Sequence, residues 1–162
     1  MSVPKYYWPF LWEFEGTEYE DDPSDRGGAT KFGIDQRSHP DVDIRHLTDE
    51  KAKEIYEKDY WAKIKGDQLP ERLAVVLMDI AVNNGRSRGI KWLQEVREVT
   101  IDGVIGPKTI AAAQDITDDD LRVILSRREA FYRSIAKGSQ AKYLRGWLRR
   151  NNALRKLVKL DA

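Results

Sequence analysis

Cysteine is absent from the 162-residue chain, and this absence removes several kinds of chemistry. Without thiols, the chain has no disulfide framework, no thiolate zinc site and no cysteine nucleophile. Histidine is scarce too, since only His39 and His46 occur, seven residues apart in a polar stretch. A zinc site needs three or four converging ligands, so we expect solvated histidines, no bound metal and no other cofactor.

Long hydrophobic runs are also missing. The longest, from Leu73 to Met78, has six residues, whereas a membrane-spanning helix needs a stretch of roughly 18 or more. The first twenty residues are not typical of a secretory signal, because Pro9 breaks their aromatic stretch and acidic residues follow. We therefore expect synthesis in the cytoplasm without a signal peptide.

Charge is abundant but unevenly distributed. Residues 1–80 hold eleven basic and eighteen acidic side chains, whereas residues 122–162 hold twelve basic and two acidic ones. A basic end of this kind favours an anionic partner, such as nucleic acid, a membrane surface or an acidic polymer. The alternative is a solvated helix face. No nucleic-acid-binding motif accompanies the charge, so we expect no nucleic acid as a partner.

Most of the chain has the sequence patterns of helices. Thr48 and Thr117 occupy N-cap positions before acidic first turns, the second resembling a capping box. Pro70 and Pro107 suit the first position of a helix, and a last helix is predicted over residues 140–157. We expect a mainly α fold in one domain, with a small irregular or β-hairpin lobe near the N-terminus.

That lobe is predicted from residues 16–34, where four glycines and Pro23 favour loops or short strands. Glu15 comes immediately before it, at the end of an apolar helix and close to Trp12 and Phe14. A carboxyl group against aromatic surface loses hydration, and this favours the protonated form that a general acid needs. Glu15 is therefore a candidate general acid.

Further polar groups follow Glu15 in the same segment. Asp25 comes ten residues later and Thr30 adds a hydroxyl, while Gly27 and Gly28 let the backbone approach a ligand closely. One protonated and one ionised carboxyl group can together cleave a glycosidic bond. Each residue also has a structural interpretation: Glu15 as a surface residue near a helix end, Asp25 as a turn former, and Thr30 as a partner of the backbone.

The motif from Glu15 to Ile34 resembles the opening motif of glycoside hydrolase family 108, the phage and bacterial N-acetylmuramidases. The family pattern is Glu-Gly-Gly, a loop with Asp-Pro and a later Asp, and then Gly-Gly-x-Thr-x-x-Gly-Ile. Here Thr17 replaces the second glycine, and the loop to Asp22-Pro23 is one residue longer. Residues 79–85 resemble the end of the family's central helix. Residues 101–109 resemble an Asp-Gly-x-x-Gly-Pro-x-Thr element shared with peptidoglycan-binding modules.

The resemblance implies a lysozyme-like helical bundle, with a catalytic part at residues 1–98 and a part at residues 99–162 similar to a peptidoglycan-binding region. It implies cleavage of the β-1,4 bond between N-acetylmuramic acid and N-acetylglucosamine. Glu15 would protonate the departing oxygen. Asp25, helped by Thr30, would orient water or stabilise the oxocarbenium-like charge. Family analogy favours inversion of configuration, and the carboxylate separation that distinguishes it from retention is not contained in a sequence.

Four further residues are candidates for the site or its support. Tyr60 and Trp61 follow a helix and either stack on sugar rings or fill the core. Asn84 either caps its helix or reaches the cleft. Asp79 is the only charged residue between positions 73 and 82, in a helix predicted to be buried. A buried charge must be paired, so we expect Asp79 to hold the active-site loop or the neighbouring asparagines.

The basic C-terminal stretch is amphipathic and has two interpretations. Its cations either engage anionic peptidoglycan, teichoic acid, lipopolysaccharide or lipid, or they stabilise the end of a helix. The chain has no exposed heptad seam, so we expect a monomer. The cations are Arg145, Arg149, Arg150, Arg155, Lys156 and Lys159.

Several functions follow from these observations. The leading hypothesis is a phage endolysin released from the host cytoplasm through a holin-type pore, and a prophage copy or secretion-associated muramidase fits nearly as well. A lytic transglycosylase would use Glu15 on the same bond and form a 1,6-anhydro product. A non-catalytic wall-binding module would rely on residues 101–109. A nucleic-acid binder would use the basic C-terminal stretch.

Overall fold

The computed structural model describes residues 3–24 and 26–160. It is 62% helical with a single two-stranded antiparallel sheet among these residues, which confirms the predicted mainly α fold. The α-helices are α1 (Tyr7–Glu15), α2 (Asp49–Tyr56), α3 (Glu71–Asn84), α4 (Arg86–Val96), α5 (Pro107–Ala113), α6 (Asp118–Ile135) and α7 (Leu144–Leu157). The strands are β1 (Thr30–Lys31) and β2 (Ile34–Asp35). Short 3-10 helices cover Ile44–His46, Gly66–Gln68 and Gly138–Tyr143, and a π-helical turn covers Glu57–Trp61.

The predicted helix starts are confirmed where a capping side chain defines them. The hydroxyl of Thr48 accepts a hydrogen bond from the backbone N–H of Lys51 at 3.2 Å. Thr117 and Asp120 form a reciprocal capping box, with both bonds at 3.1 Å. Pro107 is the first residue of α5. These starts depend on hydrogen bonds within one turn of chain, so the local sequence determines them.

Two predicted boundaries are wrong. Pro70 lies one residue before α3, because its ψ of 137° is extended and not helical. The last α-helix begins at Leu144 and not near residue 140, because residues 138–143 form a 3-10 helix. That segment begins at Gly138, whose φ of +58° lies in the left-handed region.

The chain forms two compact units, residues 4–59 and residues 60–160 together with Val3. In the N-terminal unit, α1 contributes a row of aromatic rings. Trp8 and Trp12 stack at a centroid distance of 5.8 Å, and Tyr56 of α2 meets Trp12 edge-on at 5.7 Å. The ring of Phe32 also packs edge-on against Trp12, at a centroid distance of 5.0 Å. Aromatic packing therefore joins α1, α2 and the hairpin.

The hairpin of β1 and β2 closes through a two-residue turn made by Phe32 and Gly33. Their φ angles are +54° and +75°, as in the type I′ turn that matches the twist of paired strands. Glycine adopts this conformation freely, whereas phenylalanine does so at a cost. The Phe32 carbonyl compensates by accepting a 2.7 Å hydrogen bond from the buried hydroxyl of Tyr56.

The C-terminal unit is built around α3, in which every residue from Leu73 to Ala81 is buried. Helices α4 and α6 both pack against α3. Asp79 lies inside this core with a fully buried side chain, and it pairs with Arg128 of α6 at 2.9 Å and Arg150 of α7 at 2.8 Å. Asp79 therefore ties α3, α6 and α7 together.

The turn at residues 101–106 is held by the buried side chain of Gln94. Its amide donates to Asp102 at 2.8 Å and to the Val104 carbonyl at 3.0 Å, and its oxygen accepts from the Gly103 N–H at 2.9 Å. The backbone N–H of Val104 and the Gln94 amide lower the pKa of Asp102.

Across the described residues, the structure has no helix with the length and apolar character needed to cross a bilayer.

Candidate active site

Glu15 is the last residue of α1, and its side chain is half-buried. The helix ends there because Gly16 leaves it with a φ of +78°, while its N–H still bonds to the Trp12 carbonyl at 2.8 Å. The carboxyl group therefore lies at the point where the aromatic helix gives way to the irregular lobe.

The hairpin turn comes back directly against Glu15. A Cβ atom added to Gly33 would lie 2.8 Å from Oε1 of Glu15, 2.9 Å from its Cβ, and 2.6 Å from Oη of Tyr56. Real Cβ atoms do not approach heavy atoms this closely, so only glycine fits here. The two ends of the predicted motif, eighteen residues apart in sequence, thus meet at one place.

Tyr56, which the sequence patterns did not single out, completes this arrangement. Its ring is 2% exposed, and its hydroxyl holds the Phe32 carbonyl in the turn beside Gly33. The helical spacing of Ala52 and Tyr56, which are both buried in α2, was a signal that Tyr56 faces inward. Nothing in that spacing indicated that its hydroxyl would support the turn against Glu15.

Thr30 belongs to the same hairpin and is half-buried. Its backbone pairs with that of Glu20, with N–H to oxygen distances of 2.7 and 2.8 Å. Thr30 comes three residues before Gly33, so the strand that carries its hydroxyl leads into the turn that meets Glu15.

Gly27 and Gly28 lie in the loop before β1. The Gly27 carbonyl accepts from the Arg37 N–H at 3.0 Å. Gly28 has a φ of +76°, and a Cβ added there would lie at an ordinary 3.8 Å from the Gln36 side chain. Glycine at position 28 is thus required by the backbone conformation, and no close neighbour excludes a side chain.

Asp25, the second predicted catalytic carboxylate, lies outside the described residues. The turn that precedes it is described. Ser24 donates its N–H and its hydroxyl to Asp22, at 2.9 and 2.7 Å, and these hydrogen bonds lower the pKa of Asp22.

Trp61 does not have the exposure that sugar stacking would need. Its side chain is 4% exposed, its indole N–H donates to Asp67 at 2.9 Å, and its ring lies directly over Gly66. We therefore do not retain Trp61 as a sugar-binding candidate. Tyr60 is half-buried and stays a candidate.

Asn84, at the end of α3, is connected to Asp79 through an arginine. Arg128 donates to Oδ1 of Asn84 at 2.8 Å and to the Asp79 carboxylate at 2.9 Å.

Arg150 also donates a hydrogen bond to Asp79, and it is 4% exposed. The expectation that Arg150 belongs to a basic surface is therefore wrong, because the buried carboxylate of Asp79 draws it into the core. Four of the predicted surface cations are exposed: Arg145, Arg149, Lys156 and Lys159.

The ring of each histidine lies close to one aspartate carboxylate. His39 lies 2.8 Å from Asp59, and His46 lies 2.8 Å from Asp43. Within residues 3–24 and 26–160, no group of three or more histidine and acidic side chains converges as metal ligands would.

Comparisons with known proteins identify the family. The family model "Glycosyl hydrolase 108" matches residues 9–85, and "Predicted Peptidoglycan domain" matches residues 88–152. Among solved structures, SagA from Brucella abortus is similar, with 32% sequence identity and a TM-score of 0.77 over 93% of this chain and 90% of SagA. No match was found among curated proteins. Because both family models match and the likeness to SagA covers nearly the whole length, the chain belongs to glycosyl hydrolase family 108 and is a glycoside hydrolase that acts on peptidoglycan.

Proposed function

We propose that the protein is an N-acetylmuramidase that hydrolyses the β-1,4 bond between N-acetylmuramic acid and N-acetylglucosamine, with Glu15 as the general acid. The observation that carries this proposal is the close packing of Gly33 against Glu15 and Tyr56, where an added Cβ atom would lie only 2.8 Å from Oε1 of Glu15. A loop with no role beyond reversing the chain direction would not need a glycine in van der Waals contact with a carboxyl group.

In the proposed mechanism Glu15 gives its proton to the glycosidic oxygen while the bond from that oxygen to C1 of the sugar breaks. A water molecule adds to C1 and loses its proton to the opposing carboxylate, for which Asp25 is the candidate, with Thr30 assisting. The transition state has oxocarbenium character. Tyr56 acts as a positioning residue, because its hydroxyl holds the turn that confines Glu15.

The test is the chemistry of the fragments released from purified peptidoglycan. Wild type and Glu15→Gln are incubated with it, and the soluble products are reduced with borohydride and identified by mass spectrometry. We expect reducible muramic acid ends from wild type and at least about a hundredfold fewer from Glu15→Gln, since general acid catalysis typically contributes 10²–10⁴. The control is Glu13→Gln, an exposed position on the same helix, which should retain the wild-type rate.

Each other outcome contradicts part of the proposal. A folded Glu15→Gln protein that keeps most of its activity would remove Glu15 from the mechanism. Anhydro ends would indicate a lytic transglycosylase, and the absence of fragments from wild type would indicate a wall-binding module. Circular dichroism of both variants establishes that the fold is intact.

We further propose that the activity serves host lysis after release through a holin-type pore. The resemblance of the Glu15–Ile34 motif to that of phage enzymes supports this role. Co-expression with a holin in a bacterial host should lower culture turbidity, whereas expression of either protein alone should not. Lysis without the holin would contradict this route.

A further inference from the structure

A small pocket of about 210 Å³ lies in the C-terminal unit, beside the end of α3. All of its lining side chains are uncharged. The lining residues are Asn83, Asn84, Phe131, Tyr132, Ile135 and Trp147. Pockets that bind drug-sized ligands have volumes of roughly 300–1,000 Å³, so this smaller pocket is suited to one small group and not to a length of polymer.

A hydrogen-bond network that begins at the buried Arg128–Asp79 pair orients the two asparagines of the pocket. Tyr132 donates its hydroxyl to Oδ1 of Asn83, and the amide of Asn84 donates to the same oxygen at 3.3 Å. Arg128, itself held by Asp79, donates to Oδ1 of Asn84 at 2.8 Å. Burial raises the pKa of Tyr132, which keeps on its hydroxyl the proton that it donates. Satisfied networks of this kind hold polar groups in one geometry.

The network leaves one donor group available. Asn83 is exposed, and its Oδ1 already accepts two hydrogen bonds. In the described part of the chain, its Nδ2 group has no hydrogen-bond acceptor. Because the oxygen is occupied, a ligand that meets Asn83 would meet an N–H donor and would need to supply an acceptor.

The rest of the lining is apolar and firmly held. Trp147 stacks on Tyr132 with a centroid distance of 5.3 Å and an interplanar angle of 16°. The guanidinium of Arg88 covers Phe131 at 3.9 Å from the ring centroid. Ile135 is 38% exposed at the same pocket. These side chains form a wall against which a small apolar group can pack.

We propose that this pocket binds the acetamido group of an N-acetylhexosamine in the glycan strand. The acetamido carbonyl would accept a hydrogen bond from Nδ2 of Asn83, and its methyl group would pack against Phe131, Ile135 and Trp147. A carboxylate or an ammonium group would find no opposite charge on the lining side chains. This proposal adds a sugar-recognition site to the proposed function, and it rests on that function for the identity of the glycan.

The experiment is an NMR titration of the full-length, ¹⁵N-labelled Glu15→Gln protein. Three probes are compared: N-acetylglucosamine, N-acetylmuramic acid and glucose, which lacks the acetamido group. We expect saturable shifts of the Asn83 side-chain amide and the Trp147 indole N–H with the N-acetyl sugars and none with glucose. Saturation by both N-acetyl sugars supports recognition of the group they share, and saturation by one of them supports it and identifies the sugar.

A pair of variants then tests the donor. Asn83→Asp keeps the oxygen that accepts the hydrogen bond from Tyr132 and replaces the Nδ2 donor with an acceptor. The affinity for N-acetyl sugars should therefore fall about three- to tenfold or more. Asn152→Asp makes the same change at an exposed position on α7 outside the pocket and should leave affinity unchanged. Dispersed spectra confirm that both variants fold.

The proposal is overturned if no probe saturates these resonances, if glucose shifts them equally, or if Asn83→Asp binds as tightly as Asn152→Asp. None of these readouts depends on bond cleavage. An active Glu15→Gln enzyme would therefore contradict the proposed function and leave the binding result standing.

Discussion

At the scale of single residues, Gly33 controls the space around Glu15. Alanine there would place a methyl group 2.8 Å from the Glu15 carboxylate oxygen at a φ of +75°. We expect Gly33→Ala to lower the free energy of unfolding by about 1–2 kcal/mol through left-handed strain alone. We expect a roughly hundredfold loss of peptidoglycan cleavage, because small displacements of catalytic groups are costly. Urea unfolding and the rate of release of reducing ends measure the two effects.

Gly138 is the matched control for Gly33. It has a φ of +58°, but a Cβ added there would have no neighbour within 4 Å. Gly138→Ala should show a comparable loss of stability with nearly wild-type cleavage. Equal activity in the two variants would mean that crowding at Glu15 has no catalytic consequence.

At the scale of elements, the contact between α3 and α4 depends on Gly89. A Cβ added at Gly89 would lie 2.9 Å from Cγ2 of Ile80 and 3.3 Å from Cδ2 of Leu77, whereas one added at Gly146 in α7 would have no neighbour within 4 Å. Alanine gains about 1 kcal/mol over glycine inside a helix, and overpacking a core costs about 1–3 kcal/mol. We therefore expect Gly89→Ala to lower the melting temperature and Gly146→Ala to raise it slightly. Shifts of the same sign would contradict this account of the interface.

Local patterns predicted elements well where the decisive contacts lie within one turn. The Thr117 capping box is an example, because both of its hydrogen bonds join residues three apart in sequence. The lobe near the N-terminus was predicted as irregular or a β-hairpin, and the turn of Phe32 and Gly33 was not specified. Phenylalanine rarely adopts a positive φ, and here the hydroxyl of Tyr56, twenty-four residues later, holds the turn.

At the scale of the whole molecule, stability depends on the buried pairing of Asp79 with Arg128 and Arg150. Removal of one partner from a buried ion pair costs about 3–5 kcal/mol, because uncompensated charge remains in the core. We expect Asp79→Asn to lower the free energy of unfolding by about that amount, since two buried arginines would lose their counter-charge. Urea-induced unfolding followed by circular dichroism measures the change.

An exposed pair supplies the comparison for Asp79. Asp119 lies 2.8 Å from Arg122, and its side chain is 91% exposed. Surface pairs contribute about 0–1 kcal/mol, so Asp119→Asn should change stability little. A loss for Asp79→Asn no larger than that for Asp119→Asn would mean that the buried arginines are neutralised by other groups.

The sequence by itself determined the mainly α fold, the threonine caps of two helices and the motif that singles out Glu15, because each depends on residues close together along the chain. Only the tertiary structure decided that Tyr56 supports the turn against Glu15. It also decided that Arg150 and Trp61 belong to the interior, and that Nδ2 of Asn83 has no acceptor among the described residues. The physical reason is that sequence periodicity shows whether a side chain faces inward. Which residue it then contacts depends on how distant parts of the chain pack together.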